Sequence, residues 1–98
     1  MMPFELLPKA AEEIEEAVDF HNENWPGKGD LLRDTIEDEI ERICRMPDIG
    51  RAHRRGTRKK VVAGFPYYTA VYIPEADRIL VVAVAHASRK PDNWMDRI

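Results

Sequence analysis

The sequence predicts an α+β fold with the element order β-α-α-β-β-β and a short C-terminal segment. In the first half, apolar residues recur three and four positions apart over two long stretches, which is the helical period. In the second half, the pattern changes to short runs rich in β-branched and aromatic residues, separated by turn residues. Helices segregated from strands are typical of α+β folds, and 98 residues fit one domain over 1–98.

A short strand and two helices account for the first half of the chain. The apolar run Phe4–Leu7 precedes a proline and is predicted as a brief first strand. Residues 9–24 predict a first helix with an apolar stripe and a glutamate-rich opposite face. The segment 24–29 contains a proline and two glycines and breaks this pattern. Asp30 is then the candidate N-cap of a second helix over 31–46.

Three strands are predicted in the second half. Residues 59–65 favour a strand that Pro66 interrupts, and residues 67–73 form the next run of aromatic and branched side chains. Residues 78–86 are apolar on both faces, which is typical of a central strand. Residues 90–93 break the pattern again before the final segment, so the three strands form a meander at the end of the fold.

Charge is divided unevenly between the two halves of the chain. The net charge is -3 overall, but residues 1–50 hold 14 acidic and 5 basic side chains, whereas residues 51–98 hold 4 acidic and 10 basic ones. The basic residues are densest at 51–60. A local basic patch can bind an anionic partner even when the whole protein is acidic. The alternative is that these side chains protect a sheet edge from pairing with other chains.

Several classes of protein and site are not expected. A single cysteine, Cys44, provides no internal disulfide and no multi-cysteine zinc site. The three histidines, at 21, 53 and 86, lack paired ligand spacing, so neither a metal nor another cofactor is predicted. The longest apolar run, Ile79–Ala85, has the length of a strand and not of a membrane span. The acidic N-terminal region does not resemble a signal peptide, and a cytoplasmic location is expected.

Short segments distributed over nearly the whole chain carry a family resemblance. In order, they are Pro26-Gly-Lys-Gly-Asp30, Arg42-Ile-Cys-Arg-Met-Pro47, Gly64-Phe-Pro-Tyr-Tyr-Thr-Ala-Val-Tyr72 and Val82-Ala-Val-Ala-His-Ala-Ser-Arg-Lys-Pro91, followed by Trp94 and Arg97. With these segments the chain resembles the RelE/ParE superfamily of toxins from type II toxin–antitoxin pairs. The resemblance implies a two-helix hairpin packed on a small twisted antiparallel sheet. It also implies a growth-inhibiting toxin of the plasmid-stabilisation type, held in a hetero-oligomer by a cognate antitoxin.

The family divides by target, and the residues favour one branch. Members similar to RelE cut mRNA on the ribosome, whereas members similar to ParE inhibit DNA gyrase without demonstrated nuclease chemistry. For the mRNA-cutting members, the resemblance places Arg58 and Lys60 where basic strand residues are used, and Arg89 where a C-terminal arginine is used. Thr69 stands where a further arginine is expected, and Trp94 lies near the expected tyrosine. The resemblance is therefore closer to the ParE-like members.

The candidate site residues follow from this comparison. His86 is either a general acid or base near neutral pH, or a ring packed at the end of a strand. If the chain is a nuclease, the catalytic candidates are Arg58, Lys60, His86 and Arg89. The wider set expected to bind the target or a nucleic acid is Arg54, Arg55, Arg58, Lys60, Arg89 and Trp94, with the indole of the last stacking on a base.

The functions that remain open belong to different classes. The chain is expected to be a toxin acting on gyrase, or a ribosome-dependent mRNA endonuclease, or a non-toxic protein that binds the antitoxin and has only a regulatory role. In each case an acidic or amphipathic antitoxin segment covering 51–60 suits the division of charge.

Overall fold

The predicted α+β class and element order are confirmed by the computed structural model, which describes residues 1–98. The elements are β1 (Phe4–Leu6), α1 (Pro8–Asn24), α2 (Lys28–Arg45), β2 (Arg51–Ala52), β3 (Arg58–Val62), β4 (Phe65–Pro74) and β5 (Ile79–His86). Short 3₁₀ turns lie at Arg54–Gly56 and Met95–Arg97. Two helices thus pack on a five-stranded sheet, and neither helix has the length and apolar character needed to span a bilayer.

The sheet is mixed rather than antiparallel throughout. Its strand order is β1-β5-β4-β3-β2, and β5, β4, β3 and β2 are antiparallel neighbours. However, β1 lies parallel to β5, with Phe4 opposite Ile79. A three-residue run carries no pattern that indicates its direction, which is fixed by the path of the chain through the helix hairpin. The two-residue strand β2 lies within the basic segment 51–60, where no strand was predicted before residue 59, and Pro66 lies inside β4 instead of interrupting a strand.

The turn between the helices is tighter than its sequence suggests. The second helix begins at Lys28 rather than at residue 31, and Asp30 is not its cap. The side-chain oxygen of Asn22 instead accepts a hydrogen bond from the Gly29 backbone N–H at 2.8 Å. A β-carbon at Gly29 would lie 2.1 Å from the backbone oxygen of Val18, so glycine is required for this close approach of the helices.

The sheet has apolar contacts on both faces. The helices cover one face with a stripe of buried residues, including Ile14, Ile36 and Ile40. Residues 79–84 of β5 are all buried, which confirms its prediction as a central strand. On the opposite face, a smaller cluster forms around Trp94 from the C-terminal segment. The sheet is therefore sandwiched, with the helices on one side and the C-terminal segment on the other.

Candidate functional site

Lys60 points at the second helix and neutralises a buried carboxylate. Because alternate residues of a strand share a face, Arg58 and Lys60 lie on the same side of β3. That side faces α2, where the Lys60 Nζ lies 2.8 Å from Oε2 of Glu39. Glu39 is 2% exposed, and its other oxygen lies 3.6 Å from Arg42. A buried carboxylate requires such a partner, so Lys60 has a structural role here.

Arg58 holds the connection between α2 and β2. Its guanidinium donates to the backbone oxygen of Gly50 at 2.8 Å and lies 3.6 Å from the Asp48 carboxylate. Beside it, the buried Tyr72 hydroxyl accepts from the Gly50 N–H at 2.9 Å and donates to the Pro47 oxygen at 2.6 Å. Burial raises the pKa of Tyr72, which keeps the phenol protonated as a donor. Arg58 is therefore occupied by backbone and side-chain partners of its own chain.

An ion cluster centred on Asp92 ties the C-terminal segment to the sheet. One oxygen of Asp92 lies 2.9 Å from Nε2 of His53 and 3.6 Å from Nζ of Lys59, and the other lies 3.7 Å from Arg54. The hydrogen bond from His53 lowers the pKa of Asp92, and the charges of His53, Lys59 and Arg54 add to this effect. Nearby, Arg55 donates to the backbone oxygens of residues 95 and 98. The four residues that make these contacts, at positions 53, 54, 55 and 59, all belong to the basic segment 51–60, which was expected to bind a partner.

The lowered pKa of Asp92 predicts an acid-sensitive attachment of the C-terminal segment. A carboxyl group with a depressed folded-state pKa stabilises the fold above its ordinary pKa, near 4, and loses that contribution as the pH falls through its folded value. We therefore expect the contribution of Asp92 to stability to hold from pH 7 to about 4 and then to fall, and Asp92→Asn to lack this component of the acid transition. Trp94 fluorescence in a Trp25→Phe background measures it. Asp77→Asn, in an exposed turn, is the control and should leave the profile unchanged.

Trp94, predicted to stack on a base, is buried in the structure and presents no exposed ring face. The residue is 1% exposed and packs in a cluster with Val71, Val82 and Ala83. This cluster lies on the face of the sheet opposite the helices, which we call the open face. That face of β5 is apolar and needs a cover, which the indole provides. The neighbouring Arg97 strengthens the attachment through a two-point ion pair with Glu13 of α1, at 2.8 and 3.0 Å.

His86 lies at the end of β5 between two tyrosines. Its Nδ1 accepts the Ser88 backbone N–H at 3.0 Å and lies 2.8 Å from the Ser88 hydroxyl. The ring stacks on Tyr67 at 6.1 Å and meets the edge of Tyr68 at 4.9 Å. This arrangement fits a packed and partly accessible ring at the strand end.

The histidine belongs to a continuous series of aromatic contacts at one end of the molecule. Tyr68 connects it to His21, which in turn contacts Phe20 and Trp25, with the ring centroids of His21 and these three partners 5.6 to 5.7 Å apart. Three members are largely exposed, namely Phe20 at 54%, Trp25 at 55% and Tyr67 at 66%. We call these three residues, with the two histidines between them, the aromatic surface. Large aromatic side chains exposed to this extent mark an interaction site rather than a core.

Arg89 stands beside the aromatic surface and is the most accessible of the predicted site residues near it. Its guanidinium lies 3.6 Å from Glu16, and both side chains are more than half exposed. On the helix side it borders a cleft of about 350 Å³ with Phe20 and Tyr68. Burial raises the pKa of that tyrosine, and the charge of Arg89 partly offsets the effect.

The predicted nuclease residues do not form one cluster. Arg58 and Lys60 face α2, whereas His86 and Arg89 lie at the end of β5. Lys59 and Lys90 are the lysines that share a cleft with His86 and Arg89, in a hollow of about 160 Å³ on the face of the sheet opposite the helices. Alternation along the strand already places Lys59 on the opposite face from Arg58 and Lys60. The sequence does not reveal, however, which of the two faces the helices cover.

Comparisons with known proteins agree with the fold and extend it to a family. The family model described as "ParE toxin of type II toxin-antitoxin system, parDE" matches residues 4–91. The sequence matches no curated protein. A solved structure entitled "Chromosomal ParDE TA system from P. aeruginosa" is similar with a TM-score of 0.76 and 16% identity, covering 88% of this chain and 96% of that one. Since the family model covers most of the sequence, the chain belongs to the ParE toxin family and is a ParE-like toxin of a type II toxin–antitoxin pair.

Proposed function

We propose that this ParE-like toxin acts in the cytoplasm on DNA gyrase, by contact with the enzyme and not by cutting RNA. The observation that carries the proposal is that the basic residues of β3 facing α2 are bound to groups of their own chain. Lys60 is paired with the buried Glu39, and Arg58 is hydrogen-bonded to Gly50. Neither is free to neutralise a phosphate without breaking a contact that supports the fold.

The chemistry of RNA cleavage also asks for groups that are missing at two of the positions that the resemblance indicates. Attack by a 2′-OH needs a base, a cation at the phosphorane and an acid for the leaving oxygen. Thr69 is uncharged where the resemblance expects an arginine, and Trp94 is buried and has no phenol proton to give. The aromatic surface, by contrast, has the composition of a protein-binding site, since tryptophan, tyrosine and arginine dominate interface energetics.

The nature of the partner follows from the charges around the aromatic surface. Carboxylates of α1, including Glu16 beside Arg89, lie at its border. They would repel a nucleic acid backbone, whereas a protein partner can accommodate mixed charges. The carboxylates beside the exposed aromatic rings therefore favour a protein target over a single-stranded nucleic acid.

A second candidate function is ribosome-dependent mRNA cleavage, and one observation favours it. Lys59, His86, Arg89 and Lys90 border the same hollow on the open face of the sheet. In that reaction the cations would hold the phosphate and His86 would carry the proton. Lys59 would first have to give up its ion pair with Asp92.

Replacing Trp25 or Tyr67 with alanine is expected to weaken gyrase inhibition about tenfold or more, because truncating an interface aromatic commonly costs that much. Both side chains are more than half exposed, so the fold should be little affected. The measurement is the concentration of purified toxin that halves gyrase supercoiling. Phe4→Ala is the matched control, since Phe4 is also half exposed but lies on β1, outside the aromatic surface.

Inducible expression of the chain distinguishes the alternatives in cells. Growth arrest with intact mRNA and altered plasmid supercoiling is the expected result. Codon-spaced mRNA cuts that disappear in Lys59→Ala would instead establish the nuclease. Normal growth by a folded product would show a regulatory protein that binds the antitoxin without toxicity.

A further inference from the structure

The cleft of about 350 Å³ beside the aromatic surface is lined by two kinds of group. The first kind is aromatic: Phe20 of α1 is 54% exposed, and the ring centroids of Tyr68 and His86 lie 4.9 Å apart. The second kind is acidic, with the α1 carboxylates of Glu13 and Glu16. The face of an aromatic ring attracts cations, and so does a carboxylate. The cleft therefore combines the two features that recognise a guanidinium or an ammonium group.

The two carboxylates differ in what they already bind. Glu13 holds Arg97 through both of its oxygens and also accepts the Val84 backbone N–H at 3.1 Å, so its own chain occupies it. Glu16 makes a single contact, the ion pair with Arg89 at 3.6 Å, and its side chain is 67% exposed. An ion pair between exposed side chains contributes little to stability. Glu16 is therefore the carboxylate that can bind an incoming cation.

Arg89 is the cation that competes for this position. It borders the cleft on the helix side and also the hollow on the open face of the sheet. Its side chain is 62% exposed, and exposed side chains change rotamer rapidly. Rotation toward the hollow frees the Glu16 carboxylate and gives up only one exposed ion pair. The cleft can thus exchange its own arginine for one from outside.

The charge of α1 favours a cation over an anion in the cleft. Asp19 and Glu23 follow Glu16 at helical spacing and lie on the same side of the helix. Neither makes an ion pair within the chain. An anionic side chain entering the cleft would meet these carboxylates and the ring faces, which repel it, whereas a cation is attracted by both.

We propose that the cleft receives an arginine side chain of the protein target, which replaces Arg89 at Glu16 and packs against the rings of Phe20 and Tyr68. Arginine suits the site better than lysine, because a planar guanidinium can stack on a ring and donate to a carboxylate at the same time. An arginine bound in an aromatic pocket is typical of an interface hot spot. The inference rests on the proposed contact with a protein target and names the type of residue which that target presents.

N-acetyl-arginine amide tests the proposal on the purified full chain. N-acetyl-citrulline amide has nearly the same shape without the charge, and N-acetyl-glutamate amide carries the opposite charge. We expect the arginine derivative to bind about tenfold more tightly than the citrulline derivative, with an affinity that falls as salt is added. Methyl NMR signals of Ala17 and Val84, which line the cleft, should shift, and that of Ile40, which does not line it, should stay in place.

Two pairs of variants identify the groups that bind. Glu16→Gln should weaken binding of the arginine derivative about fivefold, whereas Glu37→Gln, the same change at an exposed position of α2, should alter it by less than about twofold. Arg89→Ala should tighten binding about threefold or more, because the competing cation is gone. Lys90→Ala removes the same charge from the next residue, which does not line the cleft, and should tighten binding by less than about twofold.

The same variants connect the cleft to the target. Glu16→Gln should raise the toxin concentration that halves gyrase supercoiling about fivefold, and Arg89→Ala should not raise it. Glu16→Gln protein that binds the arginine derivative weakly but inhibits gyrase fully would show that the target presents no arginine to the cleft, and would overturn the proposal.

Other results would also overturn it. They are equal binding of the arginine and citrulline derivatives, tighter binding of the glutamate derivative, no binding of any derivative, unshifted cleft methyl signals, or weaker binding after Arg89→Ala. In each of these cases inhibition of gyrase by the wild-type chain would leave the proposed function standing. A chain that binds the arginine derivative in the cleft but leaves gyrase active would contradict gyrase as the target and not the preference of the cleft for arginine.

Discussion

Replacing Lys60 with methionine is expected to lower the free energy of unfolding by about 3 kcal/mol. Glu39 is 2% exposed, and its closest cation is the Lys60 Nζ at 2.8 Å. Methionine keeps the length of the side chain but leaves the buried carboxylate with Arg42, 3.6 Å away and half exposed. Urea unfolding of the purified protein measures the loss.

A double replacement identifies the cause. Glu39→Leu together with Lys60→Met exchanges the ion pair for apolar side chains, and its stability should return close to that of the wild type. Arg51→Met is the control for a cation of the same region without a partner, and should change stability by less than about 0.5 kcal/mol. A Lys60→Met protein of wild-type stability that had lost RNA cleavage would contradict the structural role and support a catalytic one.

The contrast between Lys59 and Lys60 shows how far the sequence predicts the site. Alternation along β3 correctly places Arg58 and Lys60 on one face and Lys59 on the other. It does not indicate which face the helices cover, because both faces of this strand carry charge. The partners that decide the matter, Glu39 and Asp92, are 21 and 33 residues away in sequence from the lysines they hold. Such distant pairings are properties of the tertiary fold.

The fold itself was more predictable than the site. Helical spacing and the doubly apolar run of β5 each reflect a local pattern that the structure reproduces. The parallel pairing of β1 and the Asn22 contact at the turn depend on where the chain returns, so local pattern could not predict them. The packing of Trp94 on the sheet face opposite the helices was partly predictable. A strand that is apolar on both faces requires a second cover, and Trp94 was the large apolar residue left to provide it.

Replacing Trp94 with alanine is expected to lower the free energy of unfolding by about 4 kcal/mol, the usual cost of removing a fully buried tryptophan. The change opens a cavity over Val71, Val82 and Ala83 and loosens the segment that carries Asp92. Thermal and urea unfolding measure the effect. Trp25→Ala removes the same ring from an exposed position and should leave stability nearly unchanged.

Adding Trp94→Phe to these two variants separates loss of folding from loss of contact with the target. Trp94→Phe should retain most of the stability and all of the toxicity, because an apolar ring still covers the sheet. Trp25→Ala should retain stability and lose toxicity, if the aromatic surface binds gyrase. If Trp94 were instead a base-stacking residue, Trp94→Ala would remain folded and lose its activity, and the cover over β5 would be dispensable. Its burial at 1% exposure argues for the opposite order of effects, with stability lost first and activity lost as a consequence.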